Sequence, residues 1–316
     1  MNYGQLVDGK WQDVWYETTK SGGRFVREDA GFRDWVKNDS GAKFQAESGR
    51  YHLYVSLACP WAHRTLIFRK LKNLESNIDV TVVSPDMMSE GWAFATPEPL
   101  YGYTRLHQIY THANSTYTGR VTVPVLWDKQ HQTIVSNESA DIIRMFNSEF
   151  NDITGNHQDY YPKEKELAID EWNADIYFNV NNGVYRCGFA TTQEAYEEAF
   201  EQLFNALDRI DKHLATHRYL VGQALTEADW RLFTTLIRFD PVYVGHFKCN
   251  KQRIADYVNI YGYMKELYQM SGVAETVDFY HIKRHYYFSH TGINPTQVVP
   301  KGPELNLETP HGRAAV

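Results

Sequence analysis

The amino-acid sequence predicts an α/β domain followed by an all-helical domain. Alternating apolar and polar residues, which are typical of strands, occur in the first half of the chain, and long amphipathic helical patterns occupy the second half. The chain has 316 residues, which is long for one domain, so two hydrophobic cores are expected. Its 43% hydrophobic and 22% charged residues are ordinary for a water-soluble globular protein.

The most informative segment is the point where a predicted strand leads directly into a predicted helix. Tyr51, Leu53 and Val55 alternate with more polar neighbours, which predicts a half-buried strand. Pro60 is typical of a first helical position. Apolar residues at helical spacing follow at Leu66, Ile67, Leu71 and Leu74. Cys59 is therefore expected at the helix N-cap, where unpaired N–H groups and a partial positive charge favour the thiolate and lower the thiol pKa.

A cysteine thiolate in this position is a nucleophile. The position one turn further on is Ala62 rather than a second cysteine, so a mixed disulfide formed at Cys59 has to be cleared by an outside thiol. This pattern indicates glutathione chemistry. The alternative interpretation is that Cys59 is only a small apolar residue at the end of a strand.

The remainder of the first domain follows the order β-α-β and then β-β-α, which is that of a thioredoxin-like domain. Val123-Pro124 is best explained as a cis turn that leads into a central strand, with its backbone available to pair with an extended ligand. A long stretch without a regular pattern is predicted to be a functional loop or a lid. In chain order the predicted elements are a strand at 79–83, the long loop at 84–122, strands at 123–127 and 132–135, and a helix from about Glu138.

The predicted organisation has four parts: an arm at 1–45, a thioredoxin-like domain at 46–150, an all-helical domain at 160–290, and an extended tail at 291–316. Helices of the second domain are expected at about 164–182, 192–216, 227–239 and 251–270. Thr226 and Asp229 form a capping box for the third of these helices. The aromatic residues expected to pack an irregular arm on the first domain are Trp11, Trp15, Phe25, Phe32 and Trp35.

Charge and cysteine content exclude several classes of function. The net charge is -7 and the basic residues are scattered, so neither a nucleic-acid partner nor a membrane-binding face is predicted. The three cysteines, Cys59, Cys187 and Cys249, lack metal-ligand spacing, and they indicate a reducing compartment. No apolar run resembles a signal peptide, which favours a cytoplasmic protein. His281 and His285 share a helix face without a third ligand, so no metal site is expected, and both are interpreted as surface or pocket-lining residues.

Five motifs are informative in combination, namely Cys59-Pro60-Trp61-Ala62, Val123-Pro124, Glu138-Ser139, Asn181-Asn182-Gly183-Val184-Tyr185 and His285-Tyr286-Tyr287. Together they resemble the motifs of the glutathionyl-hydroquinone reductases, also called the Xi class of glutathione transferases. The resemblance covers nearly the whole chain. It implies the glutathione transferase fold, with a thioredoxin-like N-terminal domain and an all-α C-terminal domain, and a homodimer.

The resemblance also implies a glutathione site and a site for the second substrate. Physical reasoning supports several of the residues that the resemblance implies for the glutathione site. The backbone of Val123 can pair with the cysteinyl unit of glutathione as strands do, and the start of the helix at Ser139 suits the γ-glutamyl carboxylate. Glu138 can pair with the γ-glutamyl amine, and Arg120 with the glycyl carboxylate. The implied glutathione residues are Trp92, Arg120, Val121, Val123, Glu138 and Ser139, and Tyr185 and Tyr286 are implied for the second substrate, with Tyr287 as the alternative to Tyr286.

The implied reaction is reduction of a glutathionyl-hydroquinone through a Cys59–glutathione mixed disulfide, with release of oxidised glutathione. Tyr185 and Tyr286 are the candidates for assisting the hydroquinone as it leaves. One alternative is an Omega-like thiol transferase or dehydroascorbate reductase, which would need Cys59 and the glutathione site but not these two tyrosines. Another is a non-enzymatic ligand-binding module built on the same fold.

Overall fold

The computed structural model describes residues 4–314, which form two compact units. The first unit comprises the described residues of Met1–Trp15, Glu28–Gln158 and Thr276–Val299, and the second those of Tyr16–Arg27, Asp159–Glu275 and Pro300–Val316. The units therefore divide the chain differently from the four expected parts. Residues 16–27 of the arm belong with the helices, and residues 276–299 belong with the α/β unit.

Long-range contacts account for this exchange of segments. In the second unit, the amide of Thr191 donates to the carbonyl oxygen of Gly23 at 3.0 Å. In the first unit, Nε of Arg284 lies 2.6 Å from Oδ1 of Asp86. Both links join residues far apart in sequence, so a pattern read along the chain does not contain them.

A four-stranded sheet forms the centre of the first unit, and its strands lie in the order β4 (Asp79–Val82), β3 (Tyr51–Val55), β6 (Val125–Asp128) and β7 (Thr133–Ser136). β3 pairs with β4 in parallel and with β6 antiparallel, and β6 pairs antiparallel with β7. This order confirms the thioredoxin-like arrangement. The strands and helices of this sheet are β3 (Tyr51–Val55), α1 (Pro60–Leu71), β4 (Asp79–Val82), β6 (Val125–Asp128), β7 (Thr133–Ser136) and α3 (Ser139–Ser148).

The N-terminal arm is not irregular as expected, because it begins with a β-hairpin. Strands β1 (Gln5–Val7) and β2 (Lys10–Gln12) pair antiparallel, and β1 also pairs with β5 (Gly119–Arg120). Asp8 and Gly9 connect the hairpin with φ angles of 47° and 72°, as an Asp-Gly turn requires. Strands of three residues are too short to show an alternating pattern, so the sequence did not reveal them.

The stretch predicted as a long loop contains a helix, α2 (Leu106–Ala113). Leu106, Ile109 and Tyr110 are buried, at the spacing of one helix face. The central strand β3 also differs from expectation, since all five of its residues are buried rather than alternate ones. One polar side-chain atom of this strand has a partner on the neighbouring strand: Nε2 of His52 lies 2.7 Å from Oγ1 of Thr81.

We expect His52 to make the stability of the protein sensitive to acid. Burial lowers the pKa of His52 to about 4 from its ordinary 6.5. The unfolded chain therefore binds the proton more readily, and stability present above pH 6.5 is lost as the pH falls towards 4, by about 3 kcal/mol. Urea unfolding of the wild type and His52→Gln at pH 7 and pH 4 measures this contribution. An equal loss of unfolding free energy in both proteins would contradict it.

The second unit consists of helices, as predicted. Thr226 and Asp229 form the expected capping box: the Thr226 amide donates to Oδ2 of Asp229 at 2.8 Å. Near the end of the tail, the Arg313 side chain is buried and donates to the carbonyl oxygens of Leu214 and Arg218. The helices are α5 (Glu166–Ile176), α6 (Gly183–Gly188), α7 (Gln193–Leu214), α8 (Glu227–Arg238), α9 (Val244–His246) and α10 (Val258–Tyr268), with π-helical segments at Tyr177–Asn181 and Phe239–Tyr243.

Two further helices, α4 (Asn151–Thr154) and α11 (Phe279–Ser289), belong to the first unit. Short 3-10 turns complete the regular structure of the described chain at Thr19–Ser21, Lys163–Lys165, Ile254–Asp256 and Ala274–Thr276. Within residues 4–314, no helix has both the length and the apolar character needed to cross a membrane.

Candidate active site

Cys59 occupies the N-cap of α1, as the sequence predicted. Its backbone is extended, with φ −77° and ψ 122°, and Pro60 follows as the first helical residue. The side chain is half-buried, and Sγ lies 3.6 Å from the carbonyl oxygen of Val123. The thiol thus lies at the start of a helix and beside the turn that leads into β6.

The turn beside the thiol contains the cis peptide bond that the sequence indicated, between Val123 and Pro124. Val123 is 5% exposed and Val121 is 7% exposed, so their side chains pack inward. Within the turn, the Val123 carbonyl group contacts the Cys59 thiol. A peptide backbone lying along this turn would be held next to Sγ, because an extended ligand pairs with main-chain groups rather than with side chains.

Glu138 and Ser139 lie at the start of α3. Glu138 is the N-cap, and its Oε1 accepts a hydrogen bond of 2.9 Å from the amide of Ala140. Oγ of Ser139 lies 3.4 Å from Nη1 of Arg64, a buried residue of α1. The guanidinium of Arg64 in turn lies over the ring of Trp61, at 4.6 Å. A helix start and a buried cation therefore adjoin the same serine, and both favour a carboxylate.

Sequence reasoning did not identify Arg64. The residue lies five positions after Cys59 on the same helix, where a charged side chain is ordinarily exposed. Arg64 can contribute to a carboxylate site only because it is buried against α3. There it contacts Ser139, which is 75 positions away in the sequence.

Trp92 lies in the first unit against α11. Its ring stacks on that of His285, with centroids 4.7 Å apart and planes inclined by 21°. Nδ1 of His285 donates to the carbonyl oxygen of Pro85 at 3.0 Å. His285 is thus a buried packing partner of Trp92, which rules out its interpretation as a surface residue and leaves that of a pocket-lining residue. Tyr286, the next residue, is 1% exposed, and Tyr287 is more exposed than Tyr286.

Arg120 contacts the N-terminal arm. Its Nη1 donates to the carbonyl oxygen of Val14 at 2.9 Å, and Nη2 donates to that of Trp15 at 3.2 Å. A carboxylate oxygen of Glu28 lies 4.0 Å from Nε. The guanidinium therefore links the arm to β5. The sequence did not predict this structural role for Arg120.

Tyr185 belongs to the second unit, on α6, and is 5% exposed. Aromatic rings surround it, with those of Phe247 and Phe189 at 5.5 and 5.6 Å and that of Tyr243 at 6.2 Å. Tyr243 is a second phenol in this cluster. The sequence did not indicate Tyr243, because this residue lies in no distinctive motif. Among residues 4–314, no group of three or more His, Cys, Asp or Glu side chains is arranged to hold a metal ion.

The two parts of the chain match known domain families. Residues 58–149 match the glutathione S-transferase N-terminal domain, and residues 193–266 match the corresponding C-terminal domain. Together with the sheet order and the helical second unit, these matches define the protein as a glutathione transferase.

Comparison with full-length relatives shows which kind of glutathione transferase the chain is. The chain is 56% identical to the glutathionyl-hydroquinone reductase YqjG of Escherichia coli, over 98% of each chain, and 52% identical to the glutathionyl-hydroquinone reductase PcpF of Sphingobium chlorophenolicum, over 96% of this chain and 97% of that protein. The glutathione-bound structure of YqjG matches with a TM-score of 0.88 and 53% identity over 99% of each chain. A Xi-class transferase from Natrialba magadii matches with a TM-score of 0.92 and 47% identity, over 99% of this chain and 97% of that chain. The chain belongs to the Xi-class glutathionyl-hydroquinone reductase family.

Proposed function

We propose that this protein reduces glutathionyl-hydroquinones to hydroquinones with glutathione, through a mixed disulfide at Cys59. The observation that carries the proposal is the placement of the Cys59 thiol at a helix start beside the Val123 carbonyl, with Ala62 in place of a second cysteine. A helix N-terminus favours the thiolate. Without a neighbouring thiol to resolve it, a glutathione adduct persists until a second glutathione arrives.

In the first step, the Cys59 thiolate attacks the glutathionyl sulfur of the keto tautomer of the substrate. The new bond is the disulfide, and the bond that breaks joins carbon to sulfur. Its electron pair moves to the carbonyl oxygen, so the ring leaves as a hydroquinone anion that takes up a proton. In the second step, glutathione attacks the mixed disulfide and releases oxidised glutathione and the Cys59 thiolate.

The glutathione that becomes attached to Cys59 would lie along the Val121–Val123 backbone. The start of α3 at Ser139, with Arg64 behind it, suits the γ-glutamyl carboxylate, and Glu138 suits the amine. Trp92 would cover the bound tripeptide. Arg120 is assigned to the glycyl carboxylate by family resemblance. Its guanidinium also donates to two carbonyl oxygens of the arm, so it would bind the carboxylate and the arm at the same time.

Tyr185 and Tyr286 are proposed to assist the leaving hydroquinone. The negative charge that develops on the ring oxygen needs a hydrogen-bond donor or a proton, and a phenol supplies both. The aromatic surroundings of Tyr185 also suit a planar ring. A disulfide substrate has a sulfur leaving group and makes no such demand.

We expect Ser139→Ala and Glu138→Ala to raise the KM for glutathione by roughly 10-fold to 100-fold with little change in kcat. Each removes a charge-assisted contact that is made equally in the ground and transition states. Steady-state kinetics with varied glutathione checks this. Because Glu138 also caps α3, Glu138→Gln is the matched control: it keeps an acceptor for the Ala140 amide and removes only the charge. A fall in kcat with an unchanged KM would show that these residues are not simple anchors.

The reaction itself is tested by assaying three substrates side by side with glutathione: a glutathionyl-hydroquinone, dehydroascorbate and hydroxyethyl disulfide. The proposal expects preference for the first, measured as kcat/KM. Preference for dehydroascorbate or the disulfide would instead support an Omega-like thiol transferase. Binding of glutathione without turnover of any substrate would support a non-enzymatic module.

The family resemblance further supports a cytoplasmic homodimer. Three thiols that form no disulfide in the described chain suit a reducing compartment. Light scattering of the purified protein tests the dimer, and cell fractionation tests the location. A monomeric mass would contradict the first assignment, and recovery outside the cytoplasm would contradict the second.

A further inference from the structure

We infer that Arg27 is a positioning residue that holds the phenol of Tyr185 and favours release of its proton. The inference rests on the proposed role of Tyr185 in assisting the leaving hydroquinone. Arg27 lies in the N-terminal arm and is distant in sequence from every motif that suggested the reaction. In the structure it belongs to the helical unit, together with Tyr185.

Two contacts place the guanidinium of Arg27. Its Cζ lies 4.9 Å from the centroid of the Tyr185 ring, within the range of a cation–π interaction. Nε donates a hydrogen bond of 2.7 Å to Oδ1 of Asn182. Asn182 is itself buried and lies three residues before Tyr185, so the cation is tied to the helix start that carries the phenol.

The arm is fixed at several points around this contact. Oγ1 of Thr18 lies 3.0 Å from Oγ1 of Thr191, and the Thr191 amide donates to Gly23. Gly23 has a φ of 85°, and a Cβ there would lie 2.5 Å from the side chain of Thr192. Glycine therefore permits both the turn and the close approach. These contacts hold residues 16–27 against the helices, so the arm fixes the position of Arg27 as well as covering the core.

The charge of Arg27 has a chemical consequence for Tyr185. A guanidinium keeps its charge at any physiological pH. Facing an aromatic ring, it stabilises the anionic phenolate more than the neutral phenol, and so it favours donation of the hydroxyl proton. The rings of Phe25, Phe189, Phe247 and Tyr243 also neighbour that of Tyr185, and none of these four side chains carries a positive charge. Arg27 therefore acts on the reaction through Tyr185, without a role in forming the mixed disulfide.

The experiment compares Arg27→Gln, which removes the charge but keeps a donor for Asn182, with Arg27→Lys, which keeps the charge. The matched control is Arg24→Gln, since Arg24 lies on the same arm but pairs with Glu198 on α7. We expect Arg27→Gln to lower kcat for a glutathionyl-hydroquinone about 10-fold or more while reduction of hydroxyethyl disulfide stays unchanged. Lysine should restore part of the loss, and Arg24→Gln should match the wild type on both substrates.

Several outcomes would overturn the inference. Equal losses on both substrates, with a lower thermal midpoint, would make Arg27 a packing residue only, and wild-type kinetics of Arg27→Gln would remove any role. Tyr185→Phe, measured alongside, separates the two levels of the proposal. If it slows hydroquinone release while Arg27→Gln does not, only the inference about Arg27 fails; if it has no effect, the proposed role of Tyr185 fails as well. Non-additive losses in the double variant would support the coupling of the two residues.

Discussion

Replacing Cys59 with serine is expected to abolish reduction of glutathionyl-hydroquinones and of disulfides, with a loss of at least about 10³-fold in kcat. The serine hydroxyl is not ionised at neutral pH, whereas a thiol at a helix N-terminus readily is. Serine differs from cysteine only in this one side-chain atom, which lies beside the Val123 carbonyl, so the loss measures chemistry rather than a change of fold.

Mass spectrometry provides a direct readout of the same step. After incubation of the wild type with a glutathionyl-hydroquinone and no free glutathione, one glutathione adduct is expected, located on Cys59. Cys187 and Cys249 serve as internal controls, because both thiols are buried. Burial also raises the pKa of Cys249. An adduct on either of these residues instead of Cys59 would refute the assignment of the nucleophile.

Tyr185→Phe and Tyr286→Phe are expected to slow reduction of glutathionyl-hydroquinones by about 10²-fold and to spare hydroxyethyl disulfide. Each change keeps the ring and its packing and removes only the hydroxyl. Both tyrosines are buried, so phenylalanine fills the same space without leaving a cavity. Parallel kinetics on the two substrates gives the ratio that decides the role of the hydroxyl.

Tyr287→Phe is the matched control for Tyr286→Phe, since it changes the adjacent and more exposed residue of α11. A selective loss in Tyr287→Phe rather than in Tyr286→Phe would move the assignment by one position. Equal losses on both substrates would indicate a structural role for the tyrosines. Wild-type rates on both substrates would show that neither tyrosine hydroxyl takes part in the reaction.

The sequence by itself determined the parts of the site that depend on local patterns. Alternation of apolar residues and Pro60 at a first helical position were sufficient to place Cys59 at a helix start. Ala62 was sufficient to show that no second cysteine follows one turn later. The capping box at Thr226 was equally predictable, because its hydrogen bonds span only three residues. Such features follow from the stereochemistry of a short segment, which folding of the remainder does not alter.

Other features became visible only in the tertiary structure. A hydrogen bond between residues 155 positions apart places Arg27 at Asn182, and the contact of Arg64 with Ser139 spans 75 positions. The β1–β2 hairpin also escaped prediction, because its strands are too short to show alternation. The sequence of β3 alternates, and only the structure shows that both of its faces are buried. Periodicity along a chain records which face of an element is apolar. It does not record which distant segment will cover that face, and packing alone decides which buried charge lies beside which ring.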